Sequence, residues 1–337
     1  MTRSSTAVAA PLLALLLLGA FGCGESRPPT MLAEYNVLVV TPDPLWSAVS
    51  GVLDDSLGVR PFGLPAEDPL RLTQRDPEAV TTSDLQRYRQ VLVVGGTDVS
   101  FVADALEGSP AAADLPALST TRDVWVEGQE VTVLALPAGA DEAGMRASLG
   151  EVGRILHAGL TTWTLDRMYA GGTHPEIDSA TVAAGFGLDV PGIYDWRWAS
   201  DSVLVAASRP NDMDPLLRTV LVTWRPLDET ESTPESLLDW REAVAATAYE
   251  GEQTTRRDPI EVSEVTTTGS PTLQVRGFWS AIVDAELRGG PTLMRVVDCP
   301  EQGRRYLLDS WIYAPNRGKY RYLIQLESIL DSFRCAP

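Results

Sequence analysis

Hydrophobic positions fall along this chain in three regimes. From Ala7 to Leu18 they run together, broken only by Pro11. Through the next stretch they come as short apolar runs, Val37-Leu-Val-Val40 and Val91-Leu-Val-Val94, separated by segments with helical spacing. Past Val182 they come as many strand-length runs divided by turn residues. The first run is shorter than the roughly 20 apolar residues of a membrane span. It follows Arg3 and ends in Gly-Ala-Phe-Gly, so residues 1–22 are predicted to be a signal peptide.

The second regime predicts a small α/β domain over residues 35–170, after a tether over 23–34. Two buried strands, Tyr35–Thr41 and Gln90–Gly96, bracket a helix that starts at Pro42-Asp-Pro-Leu-Trp46 and carries Leu45, Val49, Val52 and Leu53 at helical spacing. A third strand is expected at Asp123–Val126, turning at Glu127-Gly128 into Glu130–Leu136. A long helix from about Asp141 to Tyr169 closes the domain, with Leu149, Val152, Leu156, Leu160 and Trp163 as its apolar stripe. Continuous apolar strands joined through helices imply a partly parallel sheet.

Gly171-Gly-Thr-His-Pro175 opens an expected linker over residues 171–181. The third regime, residues 182–337, predicts an α+β sandwich: an antiparallel sheet with packed helices. Strands are expected at Ser202–Ser208, Arg218–Trp224, Ile260–Thr267, Thr272–Trp279, Leu293–Asp298 and Arg304–Tyr313. Thr233-Pro234 reads as an N-cap followed by proline at the first helical position. A last helix from about Arg317 to Phe333 presents Leu323, Leu326, Leu330 and Phe333 together.

Cysteine placement adds a location. Cys23 directly follows the leader, with small residues at Ala20 and Gly22, the pattern of a lipoprotein cut before its cysteine and acylated, with palmitate among the expected chains. Two or more chains anchor stably where one is marginal. The alternative is ordinary secretion with cleavage near Gly22 or Gly24. Gly24 is not the Asp of the inner-membrane sorting pattern, so a lipid-anchored, periplasm-facing protein of the outer membrane is expected. The chain has three cysteines; with Cys23 acylated, Cys299 and Cys335 remain, in a compartment where thiols oxidise. They form a disulfide on this reading, or stay separate buried thiols.

Charge narrows the partners. The net charge is −19, and loss of Arg3 with the leader takes the mature chain to −20. Such a surface repels nucleic acid and anionic membranes. Membrane association therefore rests on the lipid, and a periplasmic protein or polymer is the expected partner.

Candidate chemistry is sparse. His174, Glu176 and Asp178 alternate, and in an extended loop they offer a weak candidate metal set. Gly95-Gly-Thr-Asp98 follows a buried strand but lacks the spaced glycines of a dinucleotide loop and the lysine of a P-loop. No G-x-S-x-G occurs. No catalytic residue and no cofactor is assigned, and the enzyme question leans to no. Nine tryptophans are the remaining signal. Tyr194, Trp196 and Trp198 alternate and would share one strand face, solvent-exposed for stacking or turned into the core. Arg276, Trp279, Trp311 and Tyr313 come from two strands and form a candidate binding patch. By strand parity Arg276 and Phe278 face one way and Gly277 and Trp279 the other, while Trp311 and Tyr313 share a face, so only a subset can be co-facial.

Several of these segments together resemble a known group. They are Val37–Val40 with Leu45-Trp46, Asp123-Val-Trp125, Arg276-Gly-Phe-Trp279, Gly289-Gly-Pro291 and Tyr313-Ala-Pro315. In this order the chain resembles an uncharacterised family of bacterial envelope lipoproteins classed as a domain of unknown function. Val126 stands where the family typically carries a small residue. The resemblance implies no catalytic residues. The strand and helix order of the second half is also distantly similar to photosystem extrinsic proteins and small transport-associated proteins, which implies binding or assembly. The expected function is therefore a non-catalytic binding or assembly module of the envelope, the alternative a periplasmic hydrolase acting on glycan or peptide.

Overall fold

The computed structural model describes residues 35–59, 62, 64–99, 101–103, 115–137, 142–210, 214–228, 232–249 and 253–336. Cys23, the leader and the tether lie outside the described residues. The rest forms two compact units, one of residues 35–46 and 72–137, the other of 47–71 and 142–336.

The first unit is α/β. Strands β1 (Asn36–Val40), β2 (Arg71–Arg75), β3 (Gln90–Gly96), β4 (Ala117–Arg122) and β5 (Glu130–Leu136) form a sheet in the order β2-β1-β3-β5-β4. The Val- and Leu-rich strands β1, β3 and β5 are mutually parallel, while β4 runs antiparallel to β5. Leu38, Val40, Val91, Val93, Val131 and Val133 make one core face with Leu85 of helix α2 (Thr82–Arg87).

The third expected strand is displaced: β4 ends at Arg122, and Asp123–Val126 is a turn. Asp123 N–H donates to the Gln129 carbonyl at 2.8 Å, and side chains supply further bonds in place of a ladder. Asp123 takes the left-handed φ of 56° and accepts from Gly128 N–H at 2.5 Å. The fully buried Gln129 accepts from Trp125 N–H at 3.2 Å and donates to Leu85 and Tyr88 carbonyls at 2.6 and 2.8 Å.

The second unit is built on an eight-stranded sheet in which every pairing is antiparallel. Its strands are β7 (Asp195–Ser200), β8 (Val203–Ser208), β9 (Leu217–Pro226), β10 (Thr254–Thr255), β11 (Glu261–Thr267), β12 (Ser270–Val283), β13 (Glu286–Cys299) and β14 (Arg304–Tyr313). The order is β10-β12-β13-β14-β9-β8-β7, with β11 also on β12. A short β6 (Phe186–Gly187) pairs with β15 (Arg334–Cys335) in a separate ribbon.

Both faces of this sheet are covered. On one, Val220, Val222, Leu308 and Ile312 pack with Tyr322, Leu326, Ile329 and Leu330 of the last helix, Tyr320–Asp331. On the other, Leu237 and Leu238 of the helix Pro234–Ala248 meet Met294, Val296 and Leu307, while its last residue, Ala248, meets Val203, Val205 and Leu221. Numbered along the chain, the helices are α1 (Asp43–Leu57), α2, α3 (Glu142–Met168), α4 (Pro175–Ala184), α5 (Pro234–Ala248) and α6 (Tyr320–Asp331).

Two boundaries differ from the sequence expectation. The long helix α3 groups with the second unit, because it packs along α6 and holds the C-terminal turn of α1 closely. A Cβ at Gly153 would lie 2.8 Å from Ser56 Oγ, so glycine sets that approach. The expected linker 171–181 mostly belongs to α4, which starts with Pro175 at its first turn, buries Ile177 and stops at Gly185 with a φ of 92°. Strands β12 and β13 also run longer than expected, meeting at a turn where Asp284 and Ala285 both have positive φ.

Candidate functional site

The central strands and the C-terminal end of α5 leave a groove on the α5 face. Strand parity sends Trp279 and Ala281 of β12, Trp311 and Tyr313 of β14, Leu217 and Thr219 of β9, and Val205 and Ala207 of β8 to that face. Helix α5 ends at Ala248 and so covers only part of it; Tyr249 forms the wall at its end. The remaining space is a groove of about 500 Å³, within the range of small-ligand sites.

The floor is an aromatic cluster. The rings of Trp279 and Trp311 lie 4.6 Å apart, Tyr249 meets Trp311 edge-on at 5.2 Å, and Tyr313 meets Trp279 at 6.4 Å. Both tryptophans are 4% exposed, so most of each indole is core and only the upper surface of the cluster reaches the groove. Trp279 Nε1–H donates to the Ile312 carbonyl at 3.2 Å. Trp279 pairs in register with Gly290, whose missing side chain makes room: a Cβ there would lie 2.0 Å from that carbonyl oxygen. Arg276-Gly-Phe-Trp279, Gly289-Gly-Pro291 and Tyr313-Ala-Pro315 thus meet in one place.

Beneath the floor lies a buried polar network. Arg241 of α5 pairs with Asp309 of β14 at 3.2 Å, both side chains about 1% exposed. Arg241 also donates to Thr255 and Gln253 at 2.9 Å each, and Asp309 accepts from Thr292 at 2.8 Å and from the Tyr249 hydroxyl at 3.3 Å. Burial and the adjacent Asp309 hold the Tyr249 phenol well above its ordinary pKa. This network fixes Tyr249 at the wall.

Charged residues rim the groove: Arg197, Arg209, Asp214, Glu286 and Arg288. Arg288 lies over the Tyr313 ring at 5.9 Å and within 3.8 Å of Asp284 and Glu286. Arg197 donates to the Ala248 carbonyl. Asp214 accepts from Leu216 N–H and is paired with Arg317, at 2.9 and 2.8 Å; these bonds hold its carboxyl below the usual range. An acid held in its charged form is the opposite of what a hydrolytic proton donor needs.

The structure separates the four patch candidates. Trp279, Trp311 and Tyr313 share the groove face. Arg276 points to the α6 face, as its parity requires, where it pairs with Glu261 of β11 at 2.8 Å and Glu327 of α6 at 2.6 Å. Beside it the buried Arg295 reaches Gln274 at 2.8 Å and Asp331 at 2.6 Å. These arginines clamp α6 to the sheet. Arg276 also lines a smaller cavity of about 290 Å³ with Phe62, Tyr320 and Leu323.

The other candidates resolve as follows. His174 stands at the N-cap position of α4, without a side-chain cap bond, while Glu176 and Asp178 lie in its first turn, so alternation does not bring them together as it would in an extended loop. Among the described residues no group of three or more His, Cys, Asp or Glu could hold a metal. Tyr194 and Trp196 pack into the core on the α6 face, and Trp198, at the edge strand, is 37% exposed and edge-on to Trp224. Gly95 and Gly96 end β3, paired with Ala135 and Leu136 of β5, and Thr97-Asp98 form the turn after it, with Val99 N–H on the Gly96 carbonyl. Cys299 and Cys335 are at disulfide distance, Cα to Cα 5.9 Å, which ties the chain after α6 to the end of β13.

Sequence reasoning missed Tyr249, the rim arginines and the Arg241–Asp309 pair. For the pair a signal existed. Arg241 interrupts the apolar stripe Leu237-Leu238-Ala245-Ala248, and Asp309 interrupts Tyr306–Tyr313, so each lone charge called for a buried partner.

Among the described residues no helix is long and apolar enough to cross a membrane. Residues 179–332 match the model of a family described as a domain of unknown function (DUF4837). No curated protein matches the chain. Among solved structures, LpqN of Mycobacterium tuberculosis, described as involved in cell envelope biogenesis, is 16% identical, with a TM-score of 0.28 over 45% of this chain and 83% of that one. The Saccharomyces cerevisiae Ran-binding protein Mog1p is 13% identical, with a TM-score of 0.31 over 45% and 91%. The PsbP protein CyanoP of Synechocystis sp. PCC 6803 is 11% identical, with a TM-score of 0.32 over 45% and 88%. At these TM-scores no function is carried from the three structures, and the matched family is itself one of unknown function.

Proposed function

We propose that this protein is a lipid-anchored envelope component that binds a periplasmic protein or polymer without transforming it. The observation that carries the binding role is the groove over Trp279, Trp311 and Tyr313. Its floor is rigidly packed, the buried Asp309 is spent on Arg241, Thr292 and Tyr249, and of its two rim carboxylates Asp214 is held charged by Leu216 and Arg317 while Glu286 lies 3.8 Å from Arg288. Such a surface supplies contact area and orientation, the requirements of recognition. The anchor rests on the leader and Cys23, and Gly24 supports the outer membrane.

Two experiments test the proposal. Cys23→Ser should release the protein from membranes in detergent-free fractionation; unchanged membrane retention would sink the anchor. In cells, crosslinking to a partner should be lost when Ala207→Trp fills the groove and the thermal melt is unchanged. Val283→Trp, on the opposite wall, should act likewise. Intact crosslinking in both folded variants would remove the groove from the binding role.

A further inference from the structure

The charge around the groove differs in sign from the chain that carries it. The whole sequence is at −19, yet three arginines, Arg197, Arg209 and Arg288, stand at this rim against Asp214 and Glu286. Asp214 is neutralised from outside by Arg317. Arg197 and Arg209 are exposed, and Arg288 is only loosely engaged, 3.8 Å from carboxylates that are themselves 88% and 71% exposed. On a surface otherwise dominated by carboxylates, this is a local site of positive potential.

The lining between these arginines is apolar: Tyr313, Leu217 and the upper edges of the two indoles, with Val283 on the wall. Arg288 is already placed over one of its rings, so a planar group entering beside Tyr313 would lie within reach of a guanidinium. Guanidinium groups recognise carboxylates through paired hydrogen bonds. Floor and rim together select for one kind of molecule.

We infer that the groove takes an amphipathic carboxylate: a planar apolar body that lies on the Tyr313 side of the floor, with its anionic end toward Arg209 and Arg288. This rests on the groove being the binding surface proposed above and names the chemistry it would recognise on the partner. An acidic chain would otherwise repel such a group, so the rim arginines confer selectivity as much as affinity.

The full chain in zwitterionic lipid nanodiscs can be titrated with 2-naphthoate, its neutral counterpart 2-naphthamide and the cation 2-naphthylmethylammonium, followed by tryptophan fluorescence and equilibrium dialysis, with empty nanodiscs as the blank. The naphthoate should bind at least tenfold more tightly than the amide, and the cation least. Binding should weaken with added salt. Arg209→Ala and Arg288→Ala, both at the rim and outside the packed core, should each reduce naphthoate affinity severalfold while leaving the amide unchanged. Equal affinity for acid and amide, unaltered naphthoate binding in both arginine variants, or no binding by any probe would overturn the inference. Partner crosslinking blocked by Ala207→Trp would still stand in each of those cases, so the chemistry of the ligand and the role of the groove fail separately.

Discussion

Glu67 caps the helix that begins at Tyr320. Its two carboxylate oxygens accept from Lys319 N–H at 2.8 and 2.9 Å, and one of them from Tyr320 N–H at 3.0 Å. Lys319, at the N-cap, makes no side-chain cap of its own. A residue 253 positions away in sequence therefore supplies what a local Ser or Asp normally does, with a negative charge at the positive end of the helix dipole. Glu67→Ala should cost about 1 kcal/mol in urea unfolding, and an unchanged midpoint would show that water replaces the cap at no cost.

The Arg241–Asp309 pair should be the most sensitive polar feature of the second unit. Removing one partner leaves the other charged and dry, so Asp309→Ala should destabilise by about 3–5 kcal/mol. Replacing both, as Arg241→Met with Asp309→Leu, should cost clearly less than the single change. Chemical denaturation of the three proteins measures this directly; a double variant as unstable as Asp309→Ala would mean that the surrounding Thr255, Gln253 and Thr292 bonds carry the energy instead.

The Cys299–Cys335 link closes a loop with a sequence separation of 36. Loop-closure entropy for that length corresponds to about 3–4 kcal/mol. Thermal melting with and without reductant should show a loss of that order, and Cys335→Ser should reproduce it. Alkylation of the unreduced protein followed by mass spectrometry should find both thiols blocked from labelling.

Tyr194 gives a pH dependence. Its ring is buried and its hydroxyl has no hydrogen-bond partner, so burial pushes its pKa up to about 12, partly offset by Arg218. The unfolded chain ionises near pH 10. Folding stability is then intact below pH 10 and falls as the pH rises from 10 toward 12, because only the unfolded state can release the proton. Tyr194→Phe should leave stability at pH 7 nearly unchanged and flatten the alkaline decline. Absorbance titration of phenolate, compared between the two proteins, tests it.

What the sequence revealed depended on whether a local rule governed the element. Strand β14 was legible to the residue, since Gly303 and Pro315 bound an apolar run of strand length. The split of Arg276 from Trp279 followed from the two-residue strand period alone. Strand β13 was read too short because Gly289-Gly-Pro291 has turn composition, and only the crossing of the Ile312 backbone shows why glycine belongs inside that strand. Helix α4 hid in a segment whose opening glycines signal a linker. The groove wall and rim were out of reach, because Tyr249, Arg197 and Arg288 line one groove only once α5 and two separate strands, β7 and β13, are assembled.

The meeting of Trp279, Gly290 and Ile312 bears on how this sequence can drift. The indole, the missing side chain and the carbonyl occupy one volume, so none of the three segments is free to change alone. Related chains should keep or lose the tryptophan and the second glycine together. A search that scores the three short motifs as separate evidence counts a single packing event three times.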